Sequence, residues 1–413
     1  MSLLPLEPLL NLPQVRVLRC EVSDQALTIH VEMTAQGTLC HRCQQPVTDF
    51  YAHGEVLQLR HLPVFERQVY LHLQTKRYLC PRCPKRTATT QRGDWYDAAA
   101  GCTKAFANSL LRALVNSTLQ DVARQHQVSY DCLRGLLQRR VATTVDWSQV
   151  KQLRVLGLDE IALHKGHQDF VTIVSTQDEA GHPVLLAVLE GRTKETVKEF
   201  LTSIPEHLRL TVRQVCSDLY DGFINAAKEV LPEAKVVADR FHVAKLYRAA
   251  LETKRKSTLK RLKKELPKKE YEKLKGVMWA LRRRAEDLRP EERELLELLF
   301  SYDEELRQAY RLCLELTGIL DARHSVKSGR EALLGWVQKV QASGLECFAK
   351  FLGTVQERFE EITNYFVSRL TSGWVEGFNN KIKVVKRRCY GLGSASSLYR
   401  RLWLDMRGLE EYA

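Results

Sequence analysis

No apolar run in this sequence reaches the ~20 residues that a helix needs to cross a bilayer, which excludes a chain anchored by spanning helices. No basic start leads into an apolar core at the N-terminal end either. MSLLPLEPLLNLP is broken by Pro5, Pro8 and Pro13, so a cleaved secretory leader is not expected. Internal repeats and low-complexity tracts are missing, which sets aside repeat arrays and disordered polymers. Acid is also in short supply: 50 Asp and Glu stand against 63 Lys and Arg, a net charge of +13. A basic surplus attracts polyanions, nucleic acid being the usual one, although a soluble enzyme that happens to be basic fits the same count.

The chain has 413 residues, of which 44% are hydrophobic. That is enough for real cores and too long for one ordinary domain, so about two to four are expected. Eleven cysteines are an odd number. Without a leader, a reducing cytoplasm is expected. In that compartment cysteine pairs read as metal ligands before disulfides.

Residues 14–34 alternate apolar and polar around Ser23-Asp24-Gln25, which predicts a β-hairpin, and residues 55–79 alternate in the same way. From Thr103 the period becomes helical: TKAFANSLLRALV, LQDVARQHQ and YDCLRGLLQRR. Short β runs return between Leu153 and Asp239, the later ones separated by helical patterns. Three adjacent strands followed by α-β-α-β predict a mixed sheet with helices packed on it. Residues 243–370 are almost wholly helical in pattern, and the tail 371–413 holds two helices joined by Tyr390-Gly391-Leu392-Gly393-Ser394.

Cys40-His41-Arg42-Cys43 and Cys80-Pro81-Arg82-Cys83 are two knuckles flanking a β segment. Two residues between cysteines let both thiolates reach one tetrahedral zinc, and two such knuckles close a four-sulfur structural site. The alternative is two unrelated thiol pairs. The helical triplet follows helix-turn-helix grammar, with Thr118 and Ser129 as caps. In that reading Ser129, Tyr130, Arg134, Arg139 and Arg140 meet bases and phosphates. A plain three-helix packing unit has the same pattern.

Asp159 is read at the end of the apolar strand VLGLDE and Asp218 at the end of VRQVCSD, while Glu376 lies in the helix GWVEGFNNKIKVVKRR. Acids at strand ends stand at the sheet edge where open α/β sheets place their sites. Two such aspartates with a helical glutamate can hold two Mg²⁺ ions through hard oxygen ligands, for in-line displacement at phosphorus. Taken singly, each aspartate equally reads as a strand-end cap or a salt-bridge partner, and Glu160, Asp178 and Asp221 compete nearby. Asp239 and His242 stand three apart at a strand-to-helix turn; they orient a metal-binding carboxylate or touch the scissile strand, or Asp239 simply caps the next helix.

GLDEIALHKGH, SDLYDGFINAAKEVLPEAKVVADRFHVAKL and SGWVEGFNNKIKVVKRRCYGLGS resemble the catalytic blocks of the ISL3 family of bacterial insertion-sequence transposases, and the resemblance spans nearly the whole chain. It implies a multidomain α+β fold: an N-terminal β-rich zinc ribbon (1–100), a helix-turn-helix (101–148), an RNase H-like α/β catalytic domain (149–242), a large all-helical insertion (243–368), and C-terminal catalytic helices (369–413). It implies a DDE triad of Asp159, Asp218 and Glu376, with the D-x-x-H element on Asp239 and His242. Where relatives often carry methionines beside the second aspartate, this chain has Ser217 and Leu219. The expected cofactors are two Mg²⁺ (or Mn²⁺) ions per active site and one structural Zn²⁺ on Cys40, Cys43, Cys80 and Cys83. The expected partners are double-stranded DNA, as terminal inverted repeats and target, and a second copy of the chain in a homodimer or higher assembly on DNA, with no membrane. Asn379 and Asn380 contact DNA or fix their helix, and Lys381, Lys383, Lys386, Arg387 and Arg388 clamp phosphates. Insertion helices lie against DNA or a second subunit, or form a solvated face laced with ion pairs. The rival readings are a nuclease or resolvase without strand transfer, and a transposase-derived transcriptional regulator.

Overall fold

The computed structural model describes residues 6–84, 86–163, 169–368 and 373–413, and of residues 368 and 373–376 the backbone alone. The chain divides into two compact units. Met1–Thr143, Val385–Tyr390 and Arg400–Ala413 form the first, and Thr144–Val384 with Gly391–Tyr399 the second.

The first unit begins with a short helix, α1 (Glu7–Leu10), and continues through β1 (Val15–Val22), β2 (Ala26–Met33), β3 (Thr38–Leu39), β4 (Pro46–Val47), β5 (Asp49–Val64), β6 (Arg67–Leu79), β7 (Ala88–Thr90), β8 (Tyr96–Asp97) and β9 (Cys102–Thr103). Among the described residues these make a seven-stranded sheet in the order β1-β2-β6-β5-β9-β8, with β7 on β6, while β3 pairs with β4. β1 and β2 are the antiparallel hairpin expected from residues 14–34, and the Ser23 hydroxyl closes its turn against the backbone of Ala26 at 3.1 Å. Alternation along β6 sends Val69, Leu71 and Leu73 to one face. There they pack on Ile29, Val31 and Leu59.

Three helices follow: α2 (Lys104–Leu114), α3 (Leu119–His126) and α4 (Tyr130–Arg140). Each starts at a hydroxyl cap. Thr103 accepts from the amide of Phe106 at 3.3 Å, Thr118 from Asp121 at 3.0 Å and Ser129 from Cys132 at 3.1 Å; such caps contribute about 1 kcal/mol each. Their shared core holds Phe106, Leu110, Leu114, Val122, Leu133, Leu136 and Leu137, joined by Leu404 and Tyr412 from the C-terminal segment. The buried Arg401 guanidinium donates to the carbonyls of Leu114 (3.0 Å) and Ser117 (2.6 Å), so it satisfies acceptors left open at the end of α2.

The second unit is built on a five-stranded sheet of β10 (Val155–Ala162), β11 (Phe170–Gln177), β12 (Pro183–Glu190), β13 (Gln214–Ser217) and β14 (Lys235–Ala238), in the order β12-β11-β10-β13-β14. The first three form an antiparallel meander, and β13 and β14 run parallel to β10. One face is covered by α5 (Lys194–Ser203), with the single-turn α6 (Glu206–Arg209) after it, and by α7 (Asp221–Val230): Val197, Leu201, Phe223 and Ile224 pack on Leu156, Leu158, Val215 and Val236. The opposite face, through Val155, Cys216 and Val237, continues into the core of the helical region. β13 shows the period-two logic plainly, since Val215 serves one core and Cys216 the other.

That helical region comprises α8 (Arg240–Glu265), α9 (Lys268–Lys273), α10 (Val277–Ala280), α11 (Pro290–Tyr302), α12 (Glu304–Asp321), α13 (Val326–Ser343), α14 (Ala349–Glu357), α15 (Phe359–Thr363) and α16 (Tyr365–Ser368). Trp336 is its hub. The indole packs edge-on against Phe348 and Phe351 and donates to the Leu312 carbonyl at 2.8 Å. The chain ends with α17 (Gly373–Arg388) and α18 (Ala395–Glu411), separated at Tyr390 and Gly391, both with positive φ.

Candidate active site and zinc centre

Strand register carries the site. Leu158 on β10 is level with Ser217 on β13, and Ser217 with Ala238 on β14. The next residue on each of these three adjacent strands is an aspartate: Asp159, Asp218 and Asp239. Neighbouring strands lie ~4.8 Å apart, so three carboxylates stand at one level of the sheet. Asp218 and Asp239 follow the last residues of their strands as expected. Asp159 does not end its strand: β10 runs on to Ala162 because β11 continues to pair with it.

Burial pushes the Asp159 carboxyl above the ordinary carboxylate range, against the Glu160 amide (2.7 Å) and the Asn379 side-chain amide, which both donate to it. Burial likewise lifts Asp218 to about 6, with the charge of Asp159 adding to it. Asp218 accepts from the amide of Tyr220 at 3.0 Å. Asp239 caps the next helix and also holds the histidine three residues on. Oδ1 caps α8 by accepting from the amide of Phe241 (2.7 Å), and Oδ2 holds Nδ1 of His242 (3.0 Å). That hydrogen bond, with the charges of Asp239, Asp159 and Asp218, raises His242 above the usual imidazole range despite burial. The three acids and the imidazole thus feel one another directly.

The competing acids are engaged elsewhere. Glu160 takes two hydrogen bonds from Arg192, at 2.7 and 2.9 Å. Asp178 accepts from the amides of Ala180 and His182 in its own loop. Asp221 pairs with Arg358. Arg192 carried no sequence signal, because no motif or spacing sets it apart in the chain. It lies over the rings of Phe170 (4.2 Å) and Tyr220 (5.2 Å) and contributes to the electrostatics around Asp218.

Asn379, expected at DNA or fixing its helix, instead bonds Asp159 from α17. Glu376 stands three positions earlier in the same helix, and its side chain lies outside the described residues. Asn380, Lys381, Lys383 and Arg387 are exposed on α17, and Lys386 is half-buried. Arg388 is committed to Asp405, whose carboxylate also accepts from the amide of Asn116 at 3.0 Å. In α4 the predicted contacts are similarly mixed. Ser129 is spent as the cap, Tyr130 is exposed, and Arg134 pairs with Asp131 at 2.9 Å. Arg139 reaches Asp97 at 3.4 Å, while Arg140 donates to Asn108 at 3.0 Å.

In the first unit the sulfurs of Cys40, Cys43, Cys80 and Cys83 all lie within 4.8 Å of one another, the one such metal-ligating group among the described residues. Cys40 and Cys83 are 3.8 Å apart and Cys43 and Cys80 3.6 Å. Thiolates ~2.3 Å from a tetrahedral zinc are ~3.8 Å from each other, so the four fit that ion. The amides of Cys43 and Arg42 turn toward Cys40 and hold its thiol down to about 6, while burial, with the neighbouring sulfurs, pushes Cys83 up to about 12. His41 is bonded to Thr89 and His61 to Thr103, at 3.0 and 2.9 Å, so neither is needed as a ligand.

Residues 36–83 match a family described as the zinc-finger of transposase IS204/IS1001/IS1096/IS1165, and residues 156–402 match the DDE transposase family ISL3. The chain belongs to the ISL3 family of transposases. Among its relatives is the transposase for insertion sequence element IS1001 of Bordetella parapertussis, 28% identical over 377 residues and covering 89% of this chain and 88% of the relative. The transposase for element IS1557 of Mycobacterium tuberculosis (strain H37Rv) is 24% identical over 391 residues, covering 89% and 86%. The Drosophila P element transposase strand transfer complex aligns at 11% identity over 78% of this chain and 94% of that one, with a TM-score of 0.42.

Proposed function

We propose that this ISL3-family transposase binds the terminal inverted repeats of an insertion sequence and catalyses metal-dependent cleavage and strand transfer at Asp159, Asp218 and Glu376. The observation that carries the reading is the in-register placement of Asp159, Asp218 and Asp239 on three adjacent strands. A sheet with three antiparallel strands followed by two parallel ones supports an RNase H-like catalytic domain, running over 149–242 and resuming at 369–413 after the helical insertion 243–368.

The acids present suit a divalent cation. Burial makes Asp159 and Asp218 hold their protons more tightly than ordinary carboxyls, and hard oxygens are the ligands Mg²⁺ or Mn²⁺ prefer. Glu376 precedes Asn379 by three positions, the spacing of neighbours on one helix face, which supports it as the third ligand. Held by Asp159, Asp218 and Glu376, two such ions would supply activation of the attacking oxygen and stabilisation of the leaving one. The chain's own residues do the rest. Asn379 fixes one oxygen of Asp159, and Asp239 fixes the ring of His242 beside both aspartates. Lys381, Lys383 and Arg387 are exposed to hold phosphates in register.

In this reading the ribbon (1–100) holds one structural zinc, and α2 to α4 (101–148) form a helix-turn-helix with α4 as the recognition helix. Cutting and joining two element ends calls for at least a dimer on DNA. The test is incubation of the purified protein with Mg²⁺ and a duplex carrying the element's ends. Cleavage and joining at defined ends, abolished in Asp159→Asn, Asp218→Asn and Glu376→Gln, is expected. Cutting of arbitrary branched DNA without joining would replace this reading with a resolvase. Sequence-specific binding without cutting would leave a regulator.

A further inference from the structure

The hairpin of β5 and β6 ends in a two-residue turn, Phe65-Glu66, closed by the pair Val64 and Arg67. Both turn residues have positive φ, 47° and 66°. Two-residue turns of this hand select Asn-Gly, because a side chain at positive φ is crowded by its own backbone. A phenylalanine there is therefore a poor choice for the fold. It is also a poor choice for water, since Phe65 is 89% exposed. Residues that break local rules in both ways point to a role outside the fold itself.

The tip has a definite neighbour. Gln68, three residues past Phe65, donates its side-chain amide to the side chain of Gln127, the positive-φ residue that ends α3 just before the cap of α4. Arg60 on the facing strand lays its guanidinium over the ring of Phe106 in α2 at 5.4 Å. The hairpin end is thus fastened to the turn between α3 and α4. At ~3.3 Å per strand residue the tip projects ~10 Å from that point, enough to reach the floor of a B-DNA groove ~7.5–8.5 Å deep. Arg67 at the tip is exposed, as are Arg124 on α3 and Arg134 on α4; the latter two lie beside Asp121 and Asp131 of their own helices, so Arg67 is the cation best placed for a phosphate.

We propose that the β5–β6 tip is a second DNA-reading element, with Phe65 entering the minor groove as an apolar wedge beside the groove occupied by α4, and Arg67 on the adjoining phosphate. Apolar wedges of this kind part a base step and bend the duplex. The proposal rests on the reading of α2 to α4 as the element-end binding unit.

The test uses the full chain and a fluorescent duplex of the element's own terminal repeat, with 2-aminopurine placed along the flank. Phe65→Ala is expected to weaken binding roughly tenfold or more, with an unchanged salt slope, and to abolish the 2-aminopurine brightening that the parent protein causes. Arg67→Ala is expected to lower the salt slope by about one. The decisive variant combines Phe65→Asn with Glu66→Gly. This turn suits the hairpin better, so thermal stability holds or rises while affinity falls as in Phe65→Ala. Parental affinity in that stable variant overturns the proposal. So does a loss of self-association, read by sedimentation, with DNA binding intact, which would assign Phe65 to a second copy. Tyr130→Ala with Arg134→Ala separates the layers: if α4 variants lose the terminal repeat and tip variants do not, only the wedge fails, and if neither does, the element-end reading fails with it.

Discussion

Asn379 donates its side-chain amide to Oδ2 of Asp159, so a residue of α17 is bonded to a residue of β10 that lies 220 positions away in the chain. The bond ties the helix that carries Glu376 to the strand that carries the first acid. It also makes the orientation of one carboxylate depend on a residue that is itself no metal ligand.

Replacing Asn379 by Ala is therefore expected to cost about 10- to 100-fold in cleavage, as removal of groups that orient metal ligands usually does. The loss should be partly recovered at high Mg²⁺, because what is weakened is the hold on one ligand. Initial rates measured across a Mg²⁺ titration check this. A parental rate at limiting Mg²⁺ would remove Asn379 from the mechanism.

Asp218 is expected to make the metal-free protein less stable as pH rises. Its folded proton affinity is lifted from an ordinary 3.8 to about 6, so the stability tied to its protonated form is complete below ~4 and disappears as pH rises through ~6. Thermal melts without divalent cation should fall between about pH 4 and 6.5, and Asp218→Asn should flatten that fall and melt a few degrees higher at about pH 7. Added Mg²⁺ should stabilise the parent protein more at the higher pH and the variant hardly at all. Identical pH profiles for parent and variant would contradict the assignment.

Each chain should carry one zinc. Chelation, or Cys43→Ser, should release it, measurable with a chromogenic chelator, and loosen the two knuckles, because a four-thiolate zinc contributes roughly 10 kcal/mol to the local fold. Amide exchange is expected to rise around residues 38–47 and 78–90 first. Retention of zinc in the serine variant would show that the four sulfurs are not its ligands.

Asp405→Ala should destabilise the three-helix unit by about 3–5 kcal/mol. The carboxylate side chain is fully buried. It pairs with Arg388, lies 3.9 Å from the buried Arg401 and accepts from the amide of Asn116. Its removal takes the carboxylate from Arg388 and from the Asn116 amide, while Arg401 keeps the Leu114 and Ser117 carbonyls. Urea denaturation followed by helical signal measures the cost, and a change below 1 kcal/mol would show that the pair is incidental.

Features with a local cause were legible in the sequence. The period switch near Thr103, the hydroxyl caps at Thr118 and Ser129, the hairpin turn at Ser23 and the two C-x-x-C knuckles each express chemistry between residues a few positions apart. The identities of the acids were legible too, since an aspartate after an apolar run is visible in one dimension. Their company was not. Register decides that Asp159, Asp218 and Asp239 share a level, and register arises from strand pairing over long separations.

The sequence by itself determined which groups are available: four thiolates, a handful of acids beside strands and a basic surplus. Tertiary structure alone decided which of them are spent on holding the fold. It retired Glu160 onto Arg192, Asp221 onto Arg358 and Arg388 onto Asp405, and it turned Asn379 from a presumed DNA contact into a partner of Asp159. The reason is physical: a charge or amide that becomes buried must find a partner, and that partner is chosen by packing in three dimensions rather than by spacing along the chain.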